Sequence, residues 1–167
     1  MSLPVLPHQL TQHTKLLHKV VLIHEGKVLL LKRSLEDHSR PGCWDLPGGN
    51  SEWPETLTEN TSDLHQLDIA REIREEIGYE TNPANFSEKN LIFFRTFFEP
   101  EKQLYSLICG WKLVSVADLT AFSPDKVILS AEHTQFSWVG LNELAQFDFG
   151  GASGEFIIQM IKNAFES

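Results

Sequence analysis

The chain has 167 residues, with 14 Lys plus Arg against 23 Asp plus Glu and a formal net charge of −9. That length suits one domain with a real core, and a composition 41% hydrophobic and 22% charged excludes a disordered chain. The net negative charge argues against binding long nucleic acid by phosphate neutralisation. Two cysteines, Cys43 and Cys109, are too few for a disulfide scaffold or a four-Cys zinc site. The acidity is local: residues 48–80 hold nine acids and two bases, which is −7 of the −9.

Residues 1–14 contain Pro and His with little periodicity and are expected to form a loose arm. Residues 1–10 lack a basic n-region and an apolar h-region, so no signal peptide is expected. The longest apolar runs, 20–23 and 28–31, are far short of a membrane span. A cytoplasmic setting and no membrane partner follow as expectations. Residues 19–24 and 27–32 are aliphatic runs separated by Glu25-Gly26, which predicts a hairpin. Residues 33–50 contain Arg40-Pro41-Gly42 and Pro47-Gly48-Gly49, and predict loops around a short strand at 43–46. The polar stretch 56–62 reads as a loop.

A helix is predicted over 63–77, capped by Ser62 or Asp63 and ended by Gly78. At 100° per residue, Ile69, Ala70, Ile73 and Ile77 share one face. Asp68, Glu72, Glu75 and Glu76 share another. Residues 91–98 and 104–114 predict two strands, and 135–139 a further one. A last helix is expected over 154–165. The mix of hairpins and helices predicts an α/β domain spanning 1–167 with a mixed sheet.

Glu72, Glu75 and Glu76 stand at i, i+3 and i+4, where like charges repel by a few tenths of a kcal/mol per pair. A divalent cation reverses the sign of that cost, and Mg²⁺ or Mn²⁺ prefers carboxylate and phosphate oxygens. Taken alone, Glu-x-x-Glu-Glu is more often a solvated acidic face. The wider segment changes the weighing. Gly49-x5-Glu55 is followed by Arg71-Glu72-Ile73-Arg74-Glu75-Glu76-Ile77-Gly78-Tyr79. This resembles the Nudix box of the Nudix hydrolase family, and the approach Trp44-Asp45-Leu46-Pro47-Gly48-Gly49 is similar to the family's lead-in. One departure stands out: fifteen residues separate Glu55 from Arg71 where the family has seven.

The resemblance implies a Nudix-like α/β/α sandwich around a mixed sheet. It implies a metal-dependent hydrolase that cleaves a diphosphate linkage in a nucleoside diphosphate joined to another moiety. Mg²⁺ or Mn²⁺, more than one ion with substrate bound, is the implied cofactor. By matched position Gly49, Glu55, Glu72, Glu75 and Glu76 are candidate metal ligands, with Glu55 alternatively bracing Arg71. Arg71 would orient the loop and the glutamates. The general base is either a box glutamate, Glu75 or Glu76, or the later-loop Glu132. Arg33, Arg40 and His133 are candidate substrate contacts. The partner is a small-molecule phosphoanhydride, and a homodimer is compatible with the resemblance. The rival reading is a catalytically weak module that binds and senses a nucleotide or nucleotide sugar. The aromatic run 91–98, with Trp111 and Trp138, could stack a base, but a strand covered on both faces is the preferred reading of that run.

Overall fold

The computed structural model describes residues 13–114 and 123–167. The expected arm at 1–14 therefore lies largely outside the described residues. Six strands form one mixed sheet: β1 Thr14–His24, β2 Lys27–Arg33, β3 Trp44–Asp45, β4 Leu91–Glu99, β5 Leu104–Val114 and β6 His133–Val139. The order is β3-β2-β1-β5-β4, with β6 also pairing β2. β1 and β5 run parallel from Thr14↔Tyr105 to Ile23↔Val114, while the other pairings are antiparallel. Glu25 and Gly26 both take positive φ, 47° and 74°. That is the backbone of a tight two-residue hairpin whose twist matches its strands.

The helices α1 (Leu64–Ile77) and α2 (Glu155–Glu166) cover opposite faces of the sheet. Val21, Ile23, Val28 and Leu30 pack against Ile157, Met160 and Ile161 of α2. Val20, Leu22, Leu29 and Leu31 pack against Ile69, Ile73 and Ile77 of α1. Both faces of β1 and β2 are covered, which is why these strands read as continuous apolar runs rather than alternating ones. The layers are helix, sheet, helix, an α/β/α sandwich. Among the described residues no helix is long and apolar enough to cross a membrane.

Two expectations are corrected. Asp63 occupies the N-cap position of α1, but its backbone is left-handed (φ 55°) and its side chain makes no capping bond. β4 is not covered on both faces: it is an edge strand, and Phe94, Phe97 and Phe98 are 59%, 55% and 48% exposed. Only Phe93 of its aromatics is buried, against Met160 of α2. Gly78 does end α1 as expected, at φ 70°, with its N–H bonded to the Arg74 carbonyl.

Candidate active site

The stretch after β3 is pinned along β1. Val20 N–H donates to Pro47 O at 2.8 Å, His18 N–H to Gly49 O at 2.9 Å, and Ser51 N–H to Leu16 O at 2.9 Å. This close approach requires glycine at 48. Its φ is +124°, and a Cβ there would stand 2.2 Å from the His18 carbonyl oxygen. Gly49 is constrained from the other side, since a Cβ would stand 2.7 Å from a Glu72 carboxylate oxygen. The loop thus lies directly against the acidic face of α1.

The three box glutamates are placed differently. Glu76 is buried and its Oε2 accepts the Gly48 N–H at 2.6 Å. Burial pushes its pKa up to about 8, against the lowering by Lys19 and the Gly48 bond, and Glu72 adds to the rise. Glu72 is mostly buried beside Gly49, and burial raises its pKa as well, with Arg71 opposing. Glu75 is half-exposed, with Oε2 3.0 Å from Arg71 Nη1. Arg71 also lies 3.0 Å from Glu72 and 3.4 Å from Glu52. It therefore contacts both Glu72 and Glu75.

Glu55 does not take its expected place. It is exposed, and Glu52 makes the Arg71 contact instead. The polar insertion that follows leaves Glu55 free of the geometry that the shorter family spacing would impose. The later-loop segment docks on the end of α1 through Ile128 N–H to Ile77 O and Ser130 N–H to Glu76 O, both 3.2 Å. This brings Glu132 to the wall of the same cleft, where its charge adjoins Glu72. His133 is buried with Nε2 4.0 Å from Glu76 Oε1. Burial first, then Lys19, lowers its pKa to about 4, so it is neutral at pH 7.

Behind the loop lies a buried ionic hub that the sequence did not single out. Asp45 is fully buried, and its Oδ2 accepts from Lys19 at 3.1 Å, Arg33 at 2.6 Å and Arg40 at 2.7 Å. Burial raises the Asp45 pKa, but the three cations outweigh it and hold the carboxyl below its ordinary range. Lys19 also donates to Leu46 O at 3.1 Å and Gly48 O at 3.0 Å. Arg33 pairs in addition with Asp37 at 2.6 Å. Arg33 and Arg40 line the cleft as candidate substrate contacts, but their guanidinium groups are first committed to Asp45. Asp45 with Lys19 would have been visible only as unlike charges 26 residues apart in sequence, whereas Arg33 and Asp37 are only four apart.

These groups share one cleft of about 840 Å³ that runs from Glu72 and Glu76 across β1, β5 and β4 to the start of α2. Six of the 14 Lys and Arg residues line it: Lys15, Lys19, Arg33, Arg40, Arg95 and Lys102. Five carboxylates share the same walls, Asp37, Glu72, Glu76, Glu99 and Glu132, so the cleft sets cations beside acids. For a metal, the test is the donor set. Glu72 and Glu76 are two mostly buried carboxylates, Glu72 raising the proton affinity of Glu76, and the Gly49 backbone packs against the Glu72 carboxylate. Hard oxygen donors of this kind fit Mg²⁺ or Mn²⁺. Among the described residues, however, three His, Cys, Asp or Glu side chains do not converge on one point. Arg71 draws Glu75 aside.

The NUDIX domain pattern matches residues 18–160, and the chain belongs to the Nudix hydrolase family. Among curated proteins it is similar to the nucleoside triphosphatase NudI of Escherichia fergusonii, 26% identical over 136 residues, which is 78% of this chain and 84% of NudI. Among solved structures it is similar to the MutT protein of Methanosarcina mazei Go1, with a TM-score of 0.62, 23% identity, and coverage of 95% of this chain and 100% of that one. The NUDIX domain of Shewanella oneidensis NrtR, complexed with ADP ribose, has a TM-score of 0.60 at 20% identity, covering 93% of this chain and 88% of that one. The two structural likenesses confirm the fold.

Proposed function

We propose that this protein is a divalent-metal-dependent hydrolase that cleaves the diphosphate linkage of a nucleotide-type substrate by water attack at phosphorus. The observation that carries the reading is the Glu72–Glu76 carboxylate pair held against Gly48 and Gly49, inside a cleft otherwise rich in cations. Glu72, Glu76 and the Gly49 carbonyl would hold the metal, with Glu75 joining only by leaving Arg71. The metal would neutralise phosphate charge and lower the pKa of water. Glu132 lines the cleft with its charge felt by Glu72, and in this reading it would take the proton of an attacking water. Lys19 holds the Gly48 carbonyl while the Gly48 N–H donates to Glu76, so the two flanking peptides are fixed from opposite sides. A nucleoside triphosphatase and an ADP-ribose complex among the similar proteins support a nucleotide-type substrate.

The test is turnover of nucleoside triphosphates and nucleotide sugars with Mg²⁺ or Mn²⁺. Glu76→Gln is expected to lose at least about a hundredfold in kcat, the scale of a misplaced catalytic constellation. Equal rates for native protein and Glu76→Gln would refute the assignment. The rival reading, a module that binds and senses a nucleotide, is favoured by one observation: the glutamates do not converge while Arg71 holds Glu75. Tight metal-independent binding without turnover would select it.

A further inference from the structure

The cleft does not end at the carboxylates. Along β1, Lys15, Leu17 and Lys19 point to the same face because side chains alternate with period two, and all three line the cleft. The sheet register places Lys15 opposite Ser106 of β5, and Ser106 opposite Phe97 of β4. The next row is Leu17, Ile108 and Arg95. Lys15, Phe97 and Arg95 therefore line the same far end of the cleft, as does Lys102.

The Lys15 ammonium makes no hydrogen bond or ion pair with the described residues, although the residue is partly buried. Burial lowers its pKa, and the charges of Lys19, Lys102 and Arg33 lower it further against the opposing Glu99. Lys102 pairs with Glu99, and Arg95 lies over the Phe93 ring at 5.2 Å. The surplus is positive, and its least satisfied member is the Lys15 ammonium. Four residues of strand at about 3.3 Å each put Lys15 about 13 Å along β1 from Lys19. A diphosphate lying at Glu72 and Glu76 does not span that distance.

We infer that the far end of the cleft is an anion subsite, formed by Lys15, Arg95 and Lys102 over the exposed Phe97 ring, for a carboxylate or phosphate on the moiety beyond the scissile diphosphate. The inference rests on the reading that the cleft takes a phosphoanhydride, and it narrows the substrate class. The favoured ligand is a nucleoside diphosphate joined to a group that is itself anionic. Phe97 offers an apolar face to the ring of that group, and Lys15 offers an unshared charge-assisted hydrogen bond.

The experiment is equilibrium binding by calorimetry in Ca²⁺, at low and high salt, with two ligand pairs. UDP-glucuronic acid against UDP-glucose tests a carboxylate. ADP-ribose 1″-phosphate, whose extra phosphate is on the distal ribose, against ADP-ribose tests a phosphate. Native protein is expected to prefer the more anionic member of at least one pair by about fivefold to tenfold at low salt, the scale of a partly exposed hydrogen bond to a charged group. Lys15→Gln and, independently, Arg95→Gln are expected to bring that ratio towards one. Lys162→Gln, on the exposed side of α2 and outside the cleft, removes the same charge and is expected to keep it. Equal affinities in both pairs, a preference that Lys15→Gln and Arg95→Gln both keep, or no measurable binding of any of the four overturns the subsite. A preference without turnover in Mg²⁺ would uphold the subsite and reject the hydrolase.

Discussion

The backbone N–H of Gly48 donates to Oε2 of Glu76 at 2.6 Å, and this bond ties the loop after β3 to the acidic side of α1. The bond favours an ionised Glu76, yet burial dominates and lifts its pKa from 4.5 to about 8. The sign follows directly. Without a cation, folded Glu76 retains a proton that the unfolded chain has already lost above pH 4.5. Its stabilising contribution is complete below that pH and disappears as pH rises through about 8. Metal-free protein is expected to lose on the order of 1 kcal/mol between pH 7 and pH 9.5 from this group, most of its contribution having gone between pH 4.5 and pH 7. Thermal unfolding in EDTA at the two pH values measures it. Mg²⁺ should raise Tm more at pH 9 than at pH 7, and Glu76→Gln should remove most of the difference. A Tm of the EDTA-treated native protein that stays flat over this range would contradict the assignment.

The two glycines of the loop are expected to separate stability from activity. Gly48→Ala drives a Cβ to 2.2 Å from the His18 carbonyl on a backbone at φ +124°. Backbone on both sides cannot yield, so a loss of about 2–4 kcal/mol is expected in urea unfolding. Gly49→Ala instead places its Cβ 2.7 Å from the end of the Glu72 side chain, which can swing away. Stability should change by less than about 1 kcal/mol. The kcat should fall by at least about tenfold, because Glu72 leaves its position. If the two substitutions lowered stability and activity in parallel, the loop would have no separate role in placing Glu72.

Lys19 and Asp45 are expected to be coupled. Lys19→Met leaves Asp45 with Arg33 and Arg40, but removes the donor to Leu46 O and Gly48 O. A loss of about 2–3 kcal/mol follows from the unsatisfied buried groups. Asp45→Asn is worse, since Lys19, Arg33 and Arg40 are left facing one another. About 3–5 kcal/mol is expected there. The double variant should be less destabilised than the sum of the two by at least about 1 kcal/mol. Simple additivity in urea unfolding would show that the two groups do not share one network.

Much of this could be read from the residues. The apolar runs of β1 and β2, the Glu25-Gly26 turn and the Gly78 end of α1 follow from local chemistry that the fold has no reason to override. Even the burial of Glu76 was latent in the periodicity. At 100° per residue it stands about 20° from Ile69, at the border of the apolar stripe, whereas Glu75 points well away. What remained hidden depends on topology. A continuous apolar strand looks the same at the centre or the edge of a sheet, so the exposure of Phe94, Phe97 and Phe98 needed the order β3-β2-β1-β5-β4. Lys19 reads as an ordinary strand lysine until Asp45, 26 residues away, arrives beneath it. Lys15 acquires meaning only through its register with Ser106 and, through that, with Phe97.

The exchange of Glu55 for Glu52 at Arg71 has its own consequence. Arg71 Nη1 lies 3.4 Å from Glu52, whose side chain is 70% exposed, so the contact is screened. Neither Glu52→Gln nor Glu55→Gln should change stability by more than about 0.5 kcal/mol, the scale of an exposed ion pair. Activity should discriminate between them. Arg71 also holds Glu72 and Glu75, each at 3.0 Å. Releasing its Glu52 contact lets the guanidinium settle further onto those two glutamates. A drop in kcat of about threefold is expected for Glu52→Gln, the effect of a slight misplacement in the site. Arg71→Gln frees both glutamates and should cost at least about tenfold in kcat. Glu55→Gln should leave kcat and KM as they are, because the exposed loop carries it away from Arg71. Steady-state rates at saturating Mg²⁺ compare the three. A larger loss for Glu55→Gln than for Glu52→Gln would place Glu55 back against the helix and assign the brace to it.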